Sequence, residues 1–220
     1  MDGLSRRRLE AAGAVCGIVA PLLSFGGFTL IGSAGFAVQP GASLDEVAAI
    51  VSQPAPPLAF FGLSLDILGS MAFAVFAARL WGALRRAEEA LAWVSAGAFG
   101  AALLAIAASF VDKTIFVGIF TLAGNGLEPA AWPLYAVASA SFLLFSVFSG
   151  LFIGLAAVVI LETGVLHRWL GWLGLVVFAL SVIGVVLPEA GFLAFPLVLV
   201  WLIATSVLLL RRPLGHPVPA

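Results

Sequence analysis

Apolar residues along this chain fall into six long runs separated by short polar breaks: 11–38, 58–81, 91–122, 132–161, 169–187 and 192–210. Each holds about 20 residues or more, and a helix rising about 1.5 Å per residue needs roughly that many to cross a hydrocarbon core about 30 Å thick. Backbone groups in lipid must find their partners within the protein, which leaves helices or a closed barrel. The runs are continuous and lack the apolar/polar alternation of barrel strands, so helices are expected. The fold class expected is all-α: a polytopic membrane bundle of six transmembrane helices in a single domain over residues 1–212. A poorly ordered tail follows over 213–220, where Pro213, Pro217 and Pro219 fall.

The breaks carry their own signals. The longest runs from Gln39 to Pro57, where Ser43 and Glu46 have the spacing of a capping box. Leu44, Val47, Ala48 and Val51 follow at i, i+3, i+4 and i+7, which predicts a short amphipathic helix on the membrane surface, ended by Pro54, Pro56 and Pro57. It reads as a connector covering one end of the bundle or as a lid over a site. Pro21 and Gly26–Gly27 are candidate kink positions in the first helix. Six spans invite a three-plus-three inverted repeat, but the two halves show no matching residues that would support one.

Composition agrees with the pattern. Of the 220 residues, 63% are hydrophobic and 10% charged, far from the quarter or so of charged residues that a soluble domain carries. Mean hydropathy is +1.19. The net charge of −1 offers nothing to nucleic acid. Cys16 is the single cysteine and reads as a small packing residue. Basic residues set the orientation. With the N-terminus inside, Arg6, Arg7, Arg8, Arg79, Arg85, Arg86, Arg168, Arg211 and Arg212 all fall on the cytoplasmic side, as does the C-terminus, and only Lys113 dissents. Trp81, Trp93, Trp169 and Trp172 gather at the inner interface and Trp132 at the outer one.

Small residues mark close helix approaches. Ser146, Gly150 and Gly154 form one ladder at four-residue spacing, and Gly13 and Gly17 another. Such ladders let backbones meet where no hydrophobic drive exists. They serve packing within the chain, a homo-oligomer or a membrane partner protein.

Apart from Arg79 at the end of the second run, three charges sit inside apolar runs, where a charge costs about 2.5–3.5 kcal/mol and is usually paired or functional. Asp66 lies eight residues into the second run, or about 12 Å by helical rise. Asp112 and Lys113 are adjacent, hence about 100° apart on a helix, and do not face each other. Ser109 is placed to donate to Asp112. The candidate partners of Lys113 are Asp66, Glu128 and Glu189. Counted from Leu91, Asp112 is about 31 Å along, which moves the pair towards the outer interface and lets Lys113 snorkel to water. The contact expected first is Lys113 with Asp66, holding the outer half of the bundle.

Other chemistry is sparse. His167 lies in a turn and His216 in the tail, so no haem, metal or Ser-His-Asp site is expected, nor any phosphate-cradling glycine loop. No catalytic residue and no cofactor is assigned. Arg168-Trp169-Leu170-Gly171-Trp172-Leu173-Gly174, the Asp112–Lys113 pair and the terminal Trp201…Leu210-Arg211-Arg212 resemble a domain-of-unknown-function family of small actinobacterial membrane proteins. The resemblance spans 91–212 and implies a multi-pass protein of the bacterial cytoplasmic membrane, with no activity attached. Three functions stay open. One is a small secondary transporter or channel using Asp66, Asp112 and Lys113. The alternative is a non-catalytic scaffold, accessory or sensor subunit with structural ion pairs. A lipid-acting enzyme would need a polar cleft open sideways to the bilayer.

Overall fold

The structure, a computed structural model, describes residues 3–36, 43–87, 92–125 and 128–211. They form seven α-helices: α1 (Gly3–Ser33), α2 (Leu44–Val51), α3 (Pro57–Ala87), α4 (Ala92–Leu122), α5 (Glu128–Thr163), α6 (Arg168–Ile183) and α7 (Pro188–Arg211). Five of them are long and apolar enough to cross a membrane. The chain is therefore an all-α, multi-span membrane protein by helix composition. The sequence expects a sixth span over 169–187; α6 holds 16 residues, about 24 Å of rise. The expected tail, 213–220, lies outside the described residues.

Helix boundaries follow local chemistry more closely than the apolar runs do. The first run extends to Val38, yet α1 stops at Ser33 because Gly35 takes φ +79, a left-handed conformation that costs glycine nothing. Phe36 N–H then donates to Ile31 O at 3.1 Å and Gly35 N–H to Gly32 O at 3.0 Å, a Schellman closure with Phe36 and Ile31 packed in one cluster. α1 also begins earlier than expected and carries the arginine head as helix; it runs unbroken through Pro21, Gly26 and Gly27. α3 continues past Trp81 to Ala87, with Arg85 and Arg86 in its last turn, where the helix dipole favours cations.

The described residues group into two compact units. The first draws on residues within Met1–Pro21, Ala72–Ala105 and Ser146–Ala220. Its core gathers Phe76, Leu80, Leu84, Phe152, Ile153 and Trp201. Trp201 is wholly buried; its indole N–H donates to Leu170 O at 3.0 Å, and the Phe152 ring meets it edge-on at 6.0 Å. The tryptophan–glycine motif of α6 divides here. Gly171 and Gly174 pack against Leu161 and Ala157 of α5, while Trp169 and Trp172 stay 50% and 63% exposed.

The second unit draws on Leu22–Met71 and Ile106–Phe145. Phe120 is its hub, taking the edges of Phe36 and Phe60 at 5.3 Å each. α2 forms where the capping box predicts: Ser43 Oγ accepts from Glu46 N–H and the Glu46 carboxylate accepts from Ser43 N–H at 2.7 Å. Val47 and Val51 turn inward onto Ile119, Phe120 and Tyr135. Gly124, at φ +74, donates its N–H to Val51 O at 2.8 Å, so the end of α4 satisfies the end of α2. α2 is thus a packed cover on this unit.

Candidate functional site: a buried polar ring between two helices

Within the second unit, the start of α3 and the end of α4 run antiparallel and in register. Asp66 is nine residues in from Pro57, and Lys113 is nine residues back from Leu122, each about 14 Å along its helix. Both therefore reach the same level, and Lys113 Nζ lies 3.0 Å from Asp66 Oδ2. One turn further from those ends, Ser70 and Ser109 face each other with their hydroxyl oxygens 3.0 Å apart.

These four residues close a ring. Lys113 donates to Ser109 Oγ at 2.6 Å, and the Ser70 hydroxyl donates to the Asp66 carbonyl at 3.1 Å. Since the Ser70 proton is spent on that carbonyl, Ser109 is the donor of the shared serine–serine bond. Donors then run from Lys113 through Ser109 and Ser70 to the Asp66 backbone carbonyl, and Lys113 also reaches the Asp66 carboxylate directly, so both arms of the ring lead from Lys113 to Asp66. Ser70, Ser109 and Lys113 are all buried, and the Lys113 side chain is 7% exposed against 20% for Asp66. A buried ion pair is tolerated when further hydrogen bonds support it; here Lys113 has Ser109 as a second acceptor and the Asp66 side chain keeps partial exposure.

Neighbouring glycines make room for it. A Cβ on Gly27 of α1 would strike Gly62 O and lie 2.9 Å from Asp66 N and 3.1 Å from Asp66 Cβ. Gly27 and Gly62 thus bring α1 onto α3 beside the ring, so Gly27 acts as a contact point where the sequence suggested a kink.

Two expectations need correction. Ser109 serves Lys113, four residues on, and not Asp112, three residues on. Lys113 does not snorkel to water: it turns into the unit and is buried. Asp112 is half-buried and stays outside the ring. The side chains of Glu128 and Glu189, the other partners considered for Lys113, lie outside the described residues.

Comparison with protein-family profiles, curated proteins and solved structures finds no match. The site is read from its geometry.

The glycine ladders meet helices of the same chain. Gly150 packs against Ser181 and Gly154 against Phe178, whose Cγ would lie 2.8 Å from an added Cβ. Gly17 sits against Ser206 and Phe76, and Gly13 against Arg79, whose Cβ would lie 2.9 Å from a Cβ added at Gly13. Ser146 precedes Gly150 by one turn on α5 and is half-buried. The Gly13 contact leads to an ion pair the sequence reading missed. Arg79 of α3 donates from Nε to Glu10 O at 3.2 Å and brings Nη2 within 3.7 Å of Glu10 Oε2, while Arg86 approaches Oε1 at 3.8 Å. An arginine two turns inside a helix end, facing a glycine one turn after a glutamate, was the available signal.

A cavity of about 410 Å³ lies in the second unit, lined by Ala34, Phe36, Ala49, Ile50, Gln53 and Pro54 among others. No member of the polar ring lines it. Glu46, on α2, has its carboxyl held below the usual glutamate range, first by the Ser43 backbone N–H and then by the Ser43 hydroxyl.

Proposed function

We propose that the chain is a six-span protein of the bacterial cytoplasmic membrane, with both termini on the cytoplasmic side, acting as a non-catalytic scaffold or accessory subunit. The observation that carries this reading is the closed ring. Asp66 and Lys113 pair at 3.0 Å and each serine proton is assigned, so the charges are engaged in holding α3 to α4. A site that loads and releases an ion needs a partner-free coordinating group and a path to it. α6 supplies the fifth of the six spans, and the orientation rests on the arginines at one set of helix ends. Membership of the actinobacterial family suggested by Arg168–Gly174 belongs to the same proposal and adds no activity to it.

Reporter fusions test the topology: fluorescent-protein fusions at the C-terminus should be bright, and alkaline-phosphatase fusions after Pro54 active. The role of the ring is tested in proteoliposomes carrying an internal pH dye. Wild type and Asp66→Asn should show the same background proton leak, while Asp66→Asn lowers stability. A second reading, a small secondary transporter or channel, is favoured by one feature, the half-buried Asp112 carboxylate inside α4 and outside the ring. Cation-dependent flux that Asp112→Asn abolishes without loss of fold would establish it.

A further inference from the structure

The first unit gathers exposed arginines at one set of helix ends. The end of α3, the start of α4, the α5–α6 turn and the end of α7 meet in one apolar cluster through Leu84, Val94, Val165, Leu166 and Leu209. Around that cluster Arg85, Arg168 and Arg211 are exposed, and α1 brings Arg7 and Arg8, also exposed. Among the described residues none of these five guanidinium groups has an acidic partner within ion-pair distance. The nearby Glu10 is committed to Arg79 and Arg86. The exposed acid of this region is Glu162; Glu88 and Glu89 lie outside the described residues.

Two features distinguish this rim from a scatter of surface arginines. The Arg85 guanidinium sits 5.4 Å over the Trp81 ring, which stacks on Phe99 at 4.8 Å, so its position is fixed by an aromatic platform. Trp93, Trp169 and Trp172 stand exposed on the same helix ends at 69%, 50% and 63%. Amphipathic indole rings beside cations are the pattern of a membrane–water boundary.

We propose that this rim binds anionic phospholipid headgroups, with Arg85, Arg168 and Arg211 as the phosphate-facing groups. Guanidinium forks match phosphate oxygens with two parallel donors, and among the described residues no carboxylate lies within ion-pair distance of these three. Tryptophans at the same level fit the glycerol and upper acyl region of a lipid, which a free phosphate lacks. The inference concerns the helix ends and stands whether or not the polar ring is structural.

The test is native mass spectrometry of the purified full chain in a neutral detergent, titrated with phosphatidylglycerol or phosphatidylcholine. Phosphatidylglycerol should be retained in preference. Each surface arginine contributes about a fivefold gain in binding to anionic lipid, so Arg85→Gln/Arg168→Gln/Arg211→Gln should weaken retention on the order of a hundredfold. Its thermal unfolding in phosphatidylcholine should match wild type. If the triple variant does not fold, the three single variants are read instead, each with about a fivefold loss. Equal retention of both lipids, or an unchanged preference in the variants, overturns the proposal. Displacement of the lipid by an equal concentration of inorganic phosphate also overturns it, assigning the rim to free anions.

Discussion

Asp66→Asn keeps the volume of the side chain and removes its charge, leaving the Lys113 ammonium buried with neutral acceptors, Ser109 Oγ and the amide oxygen, in place of a carboxylate. At 3.0 Å and an effective dielectric of about 20, the direct attraction is about 5 kcal/mol, opposed by the desolvation of both ions. Removing one member of a buried pair usually costs about 3–5 kcal/mol, because the other charge is stranded. The Asp66 side chain retains 20% exposure, which lets water offset part of the loss and places the expected cost at about 3 kcal/mol. Lys113→Met should cost about the same. The double variant should cost about 3 kcal/mol or less where independent sites would give about 6, since each single change destroys the same interaction. Ser70→Ala breaks one neutral link and should cost about 0.6–1 kcal/mol. Unfolding by dodecyl sulfate titration in mixed micelles, followed by far-ultraviolet circular dichroism, measures all four. Single variants costing under about 1 kcal/mol, with additive effects in the double, would show that the pair is not formed in the folded protein.

Adjacent glycines on α1 should behave in opposite ways. Gly27→Ala drives a methyl into Gly62 O and should cost about 1–3 kcal/mol, whereas Gly26, with open space around it, should tolerate alanine at no cost or with a gain of up to about 1 kcal/mol. Gly124→Ala forces a left-handed backbone on a residue with a Cβ and sets that Cβ 2.6 Å from Pro54 N; it should cost at least about 1–2 kcal/mol. Faster hydrogen exchange at the amides of α2, the helix Gly124 helps to close, would report this. Glu46 makes the same helix sensitive to acid. Its folded pKa is depressed, so its contribution is complete above the unfolded glutamate value and is lost as pH falls through the lower folded one. Amide exchange in 44–51 should accelerate over that acid window, and Glu46→Gln should remove the pH dependence.

Much of the fold was legible because lipid leaves the backbone few choices. Apolar runs became helices, and Ser43 with Glu46 marked α2 as a capping box does in any solvent. Boundaries were less legible where one residue's conformation outweighed hydropathy, as when Gly35 ended α1 before Ala37 and Val38. The pairing of Asp66 with Lys113 could be inferred because helices joined by a short turn lie antiparallel, and the two residues are equally far from matching ends. The partner of Ser109 was not legible because i−3 and i−4 neighbours are equivalent on an isolated helix; Ser70, on the facing helix, sits beside Ser109 and links it to the Asp66 carbonyl. Glu10 and Arg79 escaped notice because their contact depends on how closely Gly13 lets two helices approach. Spacing along one chain segment does not reveal that.

The register of α3 against α4 can be measured in one experiment. In a Cys16→Ala background with a protease site inserted between the two helices, Ser70→Cys/Ser109→Cys places two thiols where hydroxyl oxygens stand 3.0 Å apart. Mild oxidation in membranes should form an intramolecular disulfide, so that the cleaved chain runs as one band until it is reduced. Two separate fragments after oxidation would contradict the ring and its role in holding α3 to α4.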